Sequence, residues 1–480
     1  MAANTKAKDR RVAFATIAGT TIEYYDFFIY AQAAGMVFST LMFEPLGSEF
    51  GMMLSLATIG ISFLFRPLGA FLAGHWGDRF GRRAVLVATL IGMGVCTTLI
   101  GLLPTYAQIG IAAPIALLVL RLIQGLCAGG EWGGAALMAV EHAAPHKRGL
   151  AGTYPQMGVS LGMLLATGVF ALMTGVISPG DAFLEWGWRV PFILSFVLVL
   201  LGHFIRRSVD ETPIYQDIAE RKQQTKAPVA VLFKKHWALI VAAAVLFAGT
   251  NASGYIATGG FVTAYTTNPD GPIAFDRTTA MLCISSAAGV WFLTTLISGI
   301  VSDYFGRRNT YLFGYLWLIV FAFPMFALVN TAEPLKVAAG LSLFAVGLGF
   351  SFGPQAAWYT ELFPANIRFS GVSISYGIGT VIGGAFAPTI GQGLLEATGS
   401  TNGIAVYIIV MSALSCFAAL LLHDVPRRAL GIDHQEEQEH YARLRLGKTE
   451  PYTAAPQLVD AHADGQAAPA NPDDLERVTT

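Results

Sequence analysis

The sequence predicts an all-α membrane protein with twelve transmembrane helices in two pseudo-symmetric six-helix bundles. Three observations lead to this fold class. The 480-residue chain is 54% hydrophobic and only 13% charged, whereas soluble domains carry about 25% charged residues. Twelve apolar runs are long enough to cross a bilayer, which takes about 20 residues. Two motifs of the first half return in the second half, as an internal duplication predicts.

The apolar runs are separated by charged residues or by glycine and proline. In the first half, the predicted spans cover residues 13–40, 51–74, 84–104, 112–140, 149–176 and 188–207. In the second half, they cover residues 237–265, 278–302, 310–330, 335–361, 368–395 and 402–423. The first run is too long for a cleaved signal peptide, so we expect it to remain as a membrane helix.

Four regions follow from these spans. Residues 1–207 are predicted to form the N-terminal bundle, residues 208–236 a polar central loop, and residues 237–425 the C-terminal bundle. Residues 426–480 are rich in Ala, Pro and Asp and hold too few apolar side chains to bury a core. This tail is therefore predicted to be largely disordered, apart from a short charged helix across residues 436–445.

Basic residues are concentrated in one set of loops, and this concentration predicts the orientation. That set holds Arg79, Arg82, Arg83, Lys147, Arg148, Arg307, Arg308, Arg368 and the basic residues of 206–235. The opposite loops hold little more than Arg189, Arg277 and Lys336. Because positive loops stay in the cytoplasm, both termini are expected to be cytoplasmic in a multi-pass inner-membrane protein. The net charge near zero gives no indication of a nucleic-acid partner.

The first span places two carboxylates inside the membrane. Gly19, Glu23, Asp26 and Tyr30 are four, three and four residues apart, so they share one helical face. Intramembrane acids usually face a cavity or a partner and mark functional sites. Two acids so close in a low dielectric cannot both ionise cheaply, so at least one is expected to carry a coupling proton. The alternative is a permanent ion pair of Glu23 or Asp26 with Arg66 or Arg121. The spacing does not rank Glu23 against Asp26.

The fourth span carries Arg121 and Gln124 on one face, with Glu131 and Trp132 further along the chain. A guanidinium stays charged in a membrane and its planar fork suits a carboxylate, so Arg121 is expected to bind the anionic group of a substrate. An inter-helix salt bridge is the alternative. Glu131 is expected to share the coupling proton, whereas the glycines around it are expected to allow close helix packing.

Further polar and aromatic residues at helical spacing are candidates for substrate binding. They are Tyr30, Gln124, Trp132, Gln156, Asn251, Tyr255, Gln355, Trp358, Tyr359 and Tyr376. Sites near the midplane, between repeats, are typical of duplicated carriers. Each of these residues taken alone fits a packing or interfacial role equally well.

Two loop motifs are repeated between the halves. Gly74, Asp78, Arg82 and Arg83 return as Gly299, Asp303, Arg307 and Arg308, while Glu141 and Arg148 return as Glu361 and Arg368. The first motif resembles the signature of the major facilitator superfamily, and the resemblance covers about residues 12–425. It implies that these loop residues hold a cytoplasmic gate closed. A solvated loop with weak ion pairs would explain the arginines but not the repeated aspartates and glycines.

Other segments are similar to the metabolite:proton symporter branch of that superfamily. They are Gly19–Phe27, Phe65–Gly69, Arg121–Gly125 and Gly129–Gly134. Members of this branch carry shikimate, 2-oxoglutarate, citrate, or proline and betaine, and the first span most resembles shikimate permeases. The tail shows no sustained heptads, unlike the coiled coil of the osmosensing betaine/proline carriers.

The resemblance and the intramembrane charges together indicate a secondary active transporter. The expected function is proton-coupled uptake of a small organic anion, shikimate-like or a related carboxylate, by alternating access and as a monomer. No cofactor is expected, and sodium is the alternative coupling ion. The alternative functions are transport of a zwitterionic osmolyte or of a di- or tricarboxylate, export by proton antiport, and a transporter-like sensor. An enzyme is disfavoured, because no paired metal ligands, Ser/His/Asp grouping or phosphate-binding loop is evident.

Overall fold

The computed structural model describes residues 2–80, 82–129, 131–206, 228–425 and 427–445, without the side chains of 2–12, 48, 74–80, 82–87, 203–206 and 228. These residues form helices and connecting turns, with no strand among them. The first half contains α1 (Ala2–Ala33), α2 (Ser48–Phe80), α3 (Arg82–Leu102), α4 (Ala112–Ala128), α5 (Glu131–Glu141), α6 (Arg148–Leu172) and α7 (Arg189–Arg206). The second half contains α8 (Pro228–Ala257), α9 (Phe261–Thr267), α10 (Arg277–Phe305), α11 (Arg307–Val329), α12 (Pro334–Phe352), α13 (Gln355–Leu362), α14 (Arg368–Gly383), α15 (Ala387–Thr398) and α16 (Asn402–Leu421). A further helix, α17 (Gln435–Tyr441), follows the last span.

Short irregular helices join the long ones. The π-helical stretches are Ala34–Phe38, Met173–Ile177 and Phe183–Gly187; short α-helical turns lie at Ser39–Leu41 and Tyr106–Ile109; the 3-10 turns are Glu44–Leu46, Pro145–Lys147 and Ile432–His434. Several predicted single spans are therefore built from two consecutive helices, such as α4 with α5 and α12 with α13.

Ten helical stretches in the described part of the chain are long and apolar enough to cross a membrane. Helix α1 and the shorter apolar stretch Ala88–Leu102 of α3 supply the other two of the twelve predicted spans. Large apolar side chains point outward along these helices, for example Val320, Phe417 and Leu293. Such broad apolar exposure is not seen in soluble monomers and fits a surface in contact with lipid.

The two halves repeat the same pattern of helix packing. In the first half, α1 packs on α6, α2 on α4, and α3 on α7. In the second half, the corresponding pairs are α8 with α14, α10 with α12, and α11 with α16. The halves then meet through α6 with α10 and α14 with α2, which are again equivalent pairs. The duplication read from the sequence motifs is thus also present in the packing.

The joint between the halves differs in detail from the prediction. Helix α8 begins at Pro228 and continues through a kink at His236 (φ −127°, ψ 21°), so the second half starts before residue 237. Residues 207–227, which hold most of the predicted central loop, lie outside the described residues.

Glycines allow α2 and α4 to pack with their backbones in contact. A Cβ on Gly125 would lie 2.1 Å from the carbonyl oxygen of Ser62, and one on Gly69 would lie 2.1 Å from that of Leu126. Small residues at such positions are the usual means of close helix approach in membranes. This contact fixes the position of α4, which carries Arg121 and Gln124.

Gly125→Ala is therefore expected to destabilise the protein strongly. Because the clash is with backbone atoms, the helices must separate, and overpacking of this kind costs about 3 kcal/mol or more. Thermal unfolding of the purified protein in detergent measures the effect. Gly168→Ala on α6 is the matched control, since its Cβ would meet nothing within 4 Å. Equal unfolding temperatures for the two variants would contradict the packing argument.

Candidate functional site

A cavity lies between the two halves, and side chains of both halves line it. Its accessible volume is about 30 Å³, well below the roughly 300–1,000 Å³ usual for small-molecule sites, so the halves have to move apart before a small molecule fits. The first half contributes Tyr24, Phe28, Arg66 and Val159, and the second half contributes Phe247, Thr250, Asn251, Gly254, Tyr255, Thr258, Trp291, Phe352 and Tyr376. The described lining residues are thus mostly aromatic, with hydroxyl and amide groups and the guanidinium of Arg66.

The halves also touch beyond the cavity at the end where α1 finishes. Gln32 lies one turn past Phe28, and its Nε2 donates to the carbonyl oxygen of Thr258 at 3.1 Å. The Thr263 hydroxyl donates to Oε1 of Gln32. At the opposite end, the halves meet through charged groups that are described below. A path from either side to the cavity therefore requires one of these two sets of contacts to separate.

Asp26 is fully buried and held by two hydroxyl groups. Thr97 of α3 donates to Oδ2 at 2.8 Å, and Ser195 of α7 donates to Oδ1. The Thr97 hydroxyl in turn accepts a bond from Nε2 of Gln124 at 2.7 Å. Asp26 is thus joined to α4 through a chain of side-chain hydrogen bonds, in a region without exposure to solvent.

Arg121 continues this chain, and its donors are used within the first half. Its Nη1 donates to Oε1 of Gln124, while Nε and Nη2 point to the carbonyl oxygens of Thr58 and Ile59 at 3.5 and 3.4 Å. The guanidinium lies over the Tyr30 ring, 3.7 Å from its centroid. A continuous path therefore runs from Asp26 through Thr97 and Gln124 to Arg121, and Arg121 is not among the residues that line the cavity.

Glu23 and Glu131 are the other two buried acids of the predicted coupling site. Glu23 is 2% exposed and Glu131 is 1% exposed. Glu131 lies in the first turn of α5, where a negative charge is favoured by the helix dipole. Their part in proton coupling stays a prediction.

An aromatic and amide layer lies behind the cavity wall. Trp132 stacks on Tyr376 with ring centroids 3.8 Å apart and an angle of 10°. The Trp132 indole donates to Oε1 of Gln156 at 3.0 Å, and Nε2 of Gln156 donates to Oε1 of Gln355 at 3.0 Å. The Tyr24 and Tyr376 hydroxyls are also hydrogen-bonded. This layer joins the halves next to the cavity.

The predicted binding residues thus fall into four groups. Asn251, Tyr255 and Tyr376 line the cavity, whereas Trp132, Gln156 and Gln355 form the layer behind it. Tyr30, Arg121 and Gln124 belong to the Asp26 chain. The remaining two are engaged elsewhere: Trp358 donates to the carbonyl oxygen of His423, and Tyr359 to that of Ala243. Neither of these two residues is part of the cavity lining.

Arg66 is the charged residue among the described lining residues, and it is one of the ten of thirteen that are not predicted binding residues. It stands in the span of α2 between Phe65 and Pro67, where the sequence predicts for it, as the alternative to proton coupling by the acids, an ion pair with Glu23 or Asp26 and no role in binding. An intramembrane arginine is itself a functional signal. Which of two such arginines faces a cavity depends on helix rotation and neighbouring side chains, which spacing alone does not provide.

A set of buried ion pairs, here called the brace, joins the loop motifs. It comprises Glu141, Asp303, Arg307, Glu361 and Arg368. Arg307 donates from Nε and Nη2 to the two oxygens of Glu361, each at 3.2 Å, and from Nη1 to Asp303 at 2.8 Å. Arg368 pairs with Glu141 at 3.1 Å. Because Glu141 lies in the first half and Arg368 in the second, this pair crosses between the halves.

Asp303 makes a second connection between the halves. Its two oxygens accept from the backbone N–H groups of Gly149 and Leu150 at 2.7 and 3.0 Å. These groups belong to the first turn of α6, where unsatisfied donors favour a carboxylate. Arg308 instead bonds within the second half, to the carbonyl oxygen of Leu422 at 3.0 Å. The side chains of the equivalent first-half motif, Gly74, Asp78, Arg82 and Arg83, lie outside the described residues.

The segment after the last span contains the predicted short helix as α17, and the residues before it are folded against the brace, which differs from the predicted disorder. Arg148 donates to the carbonyl oxygen of Arg428, and Arg428 donates to that of Glu361 at 2.9 Å. Arg368 donates to the carbonyl oxygen of Leu430 at 3.1 Å. Burial and the nearby Arg368 lower the pKa of Arg428 to about 10, so it stays charged at neutral pH. Residues 427–445 are therefore part of the folded protein, while 446–480 lie outside the described residues.

Gln438 of α17 is the central residue of this segment. Its Oε1 accepts from the Ala365 backbone at 2.8 Å and from Arg368 at 3.2 Å, and its Nε2 donates to two carbonyl oxygens. Gln438→Ala is expected to lower the free energy of unfolding by about 2–4 kcal/mol, because buried partners are left unsatisfied.

Thermal unfolding and protease cleavage of the segment measure this effect. Gln435→Ala is the matched control on the same helix, since the hydrogen bond of Gln435 among the described residues is to Glu439 of that helix, at 3.3 Å. The Gln438 variant should unfold at a lower temperature and be cleaved faster than the control. Identical behaviour of the two variants would show that the segment adds no stability.

Comparisons with known proteins agree with this architecture. The sequence profile of the Major Facilitator Superfamily matches residues 17–375 and 276–457. The inner membrane metabolite transport protein YhjE of Escherichia coli K12 is 38% identical over 421 residues, which are 88% of this chain and 95% of YhjE. The shikimate transporter of Escherichia coli K12 is 33% identical, over 88% of this chain and 96% of its own. The proline/betaine transporter of Salmonella typhimurium is 30% identical, over 88% and 85% respectively.

Solved structures share the fold. The proton:xylose symporter XylE bound to 6-bromo-6-deoxy-D-glucose superposes with a TM-score of 0.70 at 16% identity, over 89% of this chain and 98% of XylE. A partially occluded inward-open form of XylE from Escherichia coli gives a TM-score of 0.66 at 18% identity, over 88% and 100%. The predicted fold class, twelve transmembrane helices in two six-helix bundles, is thereby confirmed.

Proposed function

Because the chain belongs to the Major Facilitator Superfamily and is a multi-pass inner-membrane metabolite transporter rather than an enzyme, we propose that it couples uptake of a small organic anion to proton entry. The substrate is shikimate-like or a related carboxylate. Both termini face the cytoplasm, the protein functions as a monomer, and no cofactor takes part.

The observation that carries this proposal is the buried path from Asp26 to Arg121. A carboxylate with no solvent exposure is linked through Thr97 and Gln124 to a guanidinium. Protonation of Asp26 removes a negative charge and turns one acceptor oxygen into a donor. Thr97 then has to reorient, which alters its bond to Gln124. Groups on α1, α3 and α4 therefore respond together to a single proton.

The brace is the cytoplasmic gate in this proposal. When Asp26 is protonated and substrate is bound, the halves move relative to each other, and the Arg368–Glu141 pair and the contacts of Asp303 with Gly149 and Leu150 have to separate. The contacts of Gln32 close the periplasmic end during that step. This alternation around a central cavity is what two equivalent helix bundles allow.

Relatives set the range of substrates to be tested. They are named for shikimate and for proline and betaine transport. A carboxylate is favoured over a zwitterion because the charged residue among the described lining residues is an arginine, Arg66. Di- and tricarboxylates, sodium coupling and export remain outcomes of the experiment.

Proton flux in proteoliposomes tests the proposal. Vesicles loaded with a pH-sensitive dye are mixed with shikimate, 2-oxoglutarate, citrate, proline or glycine betaine, with and without a sodium gradient. We expect internal acidification on addition of shikimate or another carboxylate, independent of sodium. Uptake that leaves the internal pH unchanged, that needs sodium, or that acidifies only with proline or betaine would contradict it.

A further inference from the structure

We propose that Arg66, and not Arg121, anchors the substrate's carboxylate, and that the substrate is a monocarboxylate built on a ring. This inference rests on the proposed function, whose transported anion it specifies. It depends on the unequal use of the two buried guanidinium groups and on the composition of the cavity wall.

The Arg66 guanidinium is fixed in place by aromatic rings but not saturated by hydrogen bonds. Its carbon lies 4.1 Å from the centroid of the Phe27 ring and 4.3 Å from that of the Phe63 ring. The residue is 4% exposed, yet its Nε and Nη2 atoms have no hydrogen-bond partner among the described residues. A buried charged donor without a partner is costly, so this edge of Arg66 is suited to an anionic ligand.

The brace shows what that edge binds in this same protein. Arg307 uses its Nε and Nη2 atoms, the same pair that lacks partners in Arg66, to hold both oxygens of Glu361. This side-on fork matches the spacing of the two oxygens in a carboxylate. Arg66 carries the equivalent pair of donors, and the residue lies in the wall of a cavity lined by both halves.

Arg121 lacks such a free edge. Its Nε, Nη1 and Nη2 atoms are directed to Thr58, Gln124 and Ile59, and the Tyr30 ring covers one face. A carboxylate could replace these partners only by breaking the path to Asp26. Arg121 is therefore a positioning residue that transmits the protonation state, while Arg66 contacts the substrate.

The cavity wall indicates what the rest of the substrate looks like. Phe28, Phe247, Trp291 and Phe352 present rings, and the two pairs Phe247–Phe352 and Phe247–Tyr376 are stacked. Hydroxyl and amide groups of Thr250, Asn251, Thr258 and Tyr24 stand between them. Aromatic side chains with hydroxyl and amide groups between them suit a flat or cyclic substrate that carries hydroxyl groups.

Charge balance limits the substrate to one carboxylate. Arg66 is the charged residue among the described lining residues, and it compensates one negative charge. Each further carboxylate of citrate or 2-oxoglutarate would be desolvated without a partner, which is strongly unfavourable. The quaternary ammonium of betaine would be repelled by the guanidinium that faces the same space.

Equilibrium binding to the purified full-length protein in detergent tests the anchor. The probes are shikimate and its uncharged methyl ester, with citrate and glycine betaine for comparison. Arg66→Gln should weaken shikimate binding about 100-fold, since a bidentate charged contact is lost. Arg66→Lys should weaken it about 10-fold, because charge is kept but the fork is not. Arg277→Gln, which alters a cation at the start of α10 away from the cavity lining, should bind as wild type.

The ester separates a direct contact from a structural role. If Arg66 holds the carboxylate, wild type should bind the ester weakly, and Arg66→Gln should bind ester and acid alike. The role of Arg66 as anchor would be overturned by either of two results. One is that the losses of binding free energy caused by esterification and by Arg66→Gln are additive. The other is that folded Arg66→Gln binds shikimate within about 3-fold of wild type. Wild type that binds citrate or betaine in preference to shikimate, or binds none of the probes, would overturn the substrate class.

Arg121→Gln distinguishes the two arginines. It should keep the preference for acid over ester while losing proton flux, whereas loss of that preference in Arg121→Gln alone would return the anchor to Arg121. If the proposed proton-coupled uptake were wrong, the result would be different from all of these: vesicles with the wild-type protein would transport a probe without internal acidification.

Discussion

Asp26→Asn is expected to abolish accumulation driven by a pH gradient while leaving substrate exchange intact. With the membrane potential clamped at zero, a gradient of about 2 pH units supplies about 2.7 kcal/mol per proton, enough for about 100-fold accumulation of substrate. Asparagine imitates the protonated acid in shape but releases no proton. The accumulation ratio should therefore fall to about one, whereas exchange of labelled for unlabelled substrate needs no proton movement.

Uptake and counterflow in the same proteoliposomes measure the two activities. Asp276→Asn is the matched control: Asp276 caps the start of α10 by accepting from Thr279 at 2.9 Å, and asparagine caps helices equally well. The control should accumulate substrate as wild type does. An Asp26→Asn protein that still accumulates substrate against its gradient would exclude Asp26 as the coupling group.

Glu361→Gln is expected to open the brace. Glu361 is buried, and its two oxygens receive the fork of Arg307. Removing one partner of a buried pair costs about 3–5 kcal/mol, because the other charge is left uncompensated. Arg307 and Glu361 both lie in the second half, but Arg307 also holds Asp303, which accepts from Gly149 and Leu150 of the first half. Because that contact between the halves exists only in the closed form, the loss destabilises that form. The population should shift toward protein that is open at this end, and transport should slow.

Distance measurements between spin labels at exposed positions on either side of the brace, such as His146 and Tyr304, report this shift. Longer distances should dominate in Glu361→Gln. The control is Glu333→Gln, which breaks an exposed pair with Lys336 (2.7 Å; side chains 61% and 50% exposed), worth at most about 1 kcal/mol. Unchanged distances in Glu361→Gln would mean that the brace does not hold this end closed.

Several features of the fold are readable from the sequence because they depend on local composition and on repetition. Apolar runs of sufficient length predict the spans, and the repeated Asp303 and Glu361 motifs predict the duplication. The pairing of equivalent helices follows from that duplication. Asp303 and Arg368 of these motifs both reach the first half, whereas their role in a gate stays a prediction.

The different roles of Arg66 and Arg121 could not be predicted from local composition or repetition. Both are intramembrane arginines, and their difference arises from Thr58, Ile59 and Gln124, which reach only Arg121 in three dimensions. The predicted short helix is present as α17, but the folding of the C-terminal segment against the brace was missed for a related reason. Its polar composition predicts disorder, but its backbone carbonyls are bound by Arg368 and Arg148, an interaction that composition does not reveal.

The pH dependence of substrate binding tests the link between proton and substrate most directly. If protonation of Asp26 favours binding, then substrate favours protonation by the same factor. Wild type should bind shikimate more tightly as the pH falls, and Asp26→Asn should bind it at every pH with the affinity that wild type reaches at low pH. The same pH profile in wild type and Asp26→Asn would contradict the account.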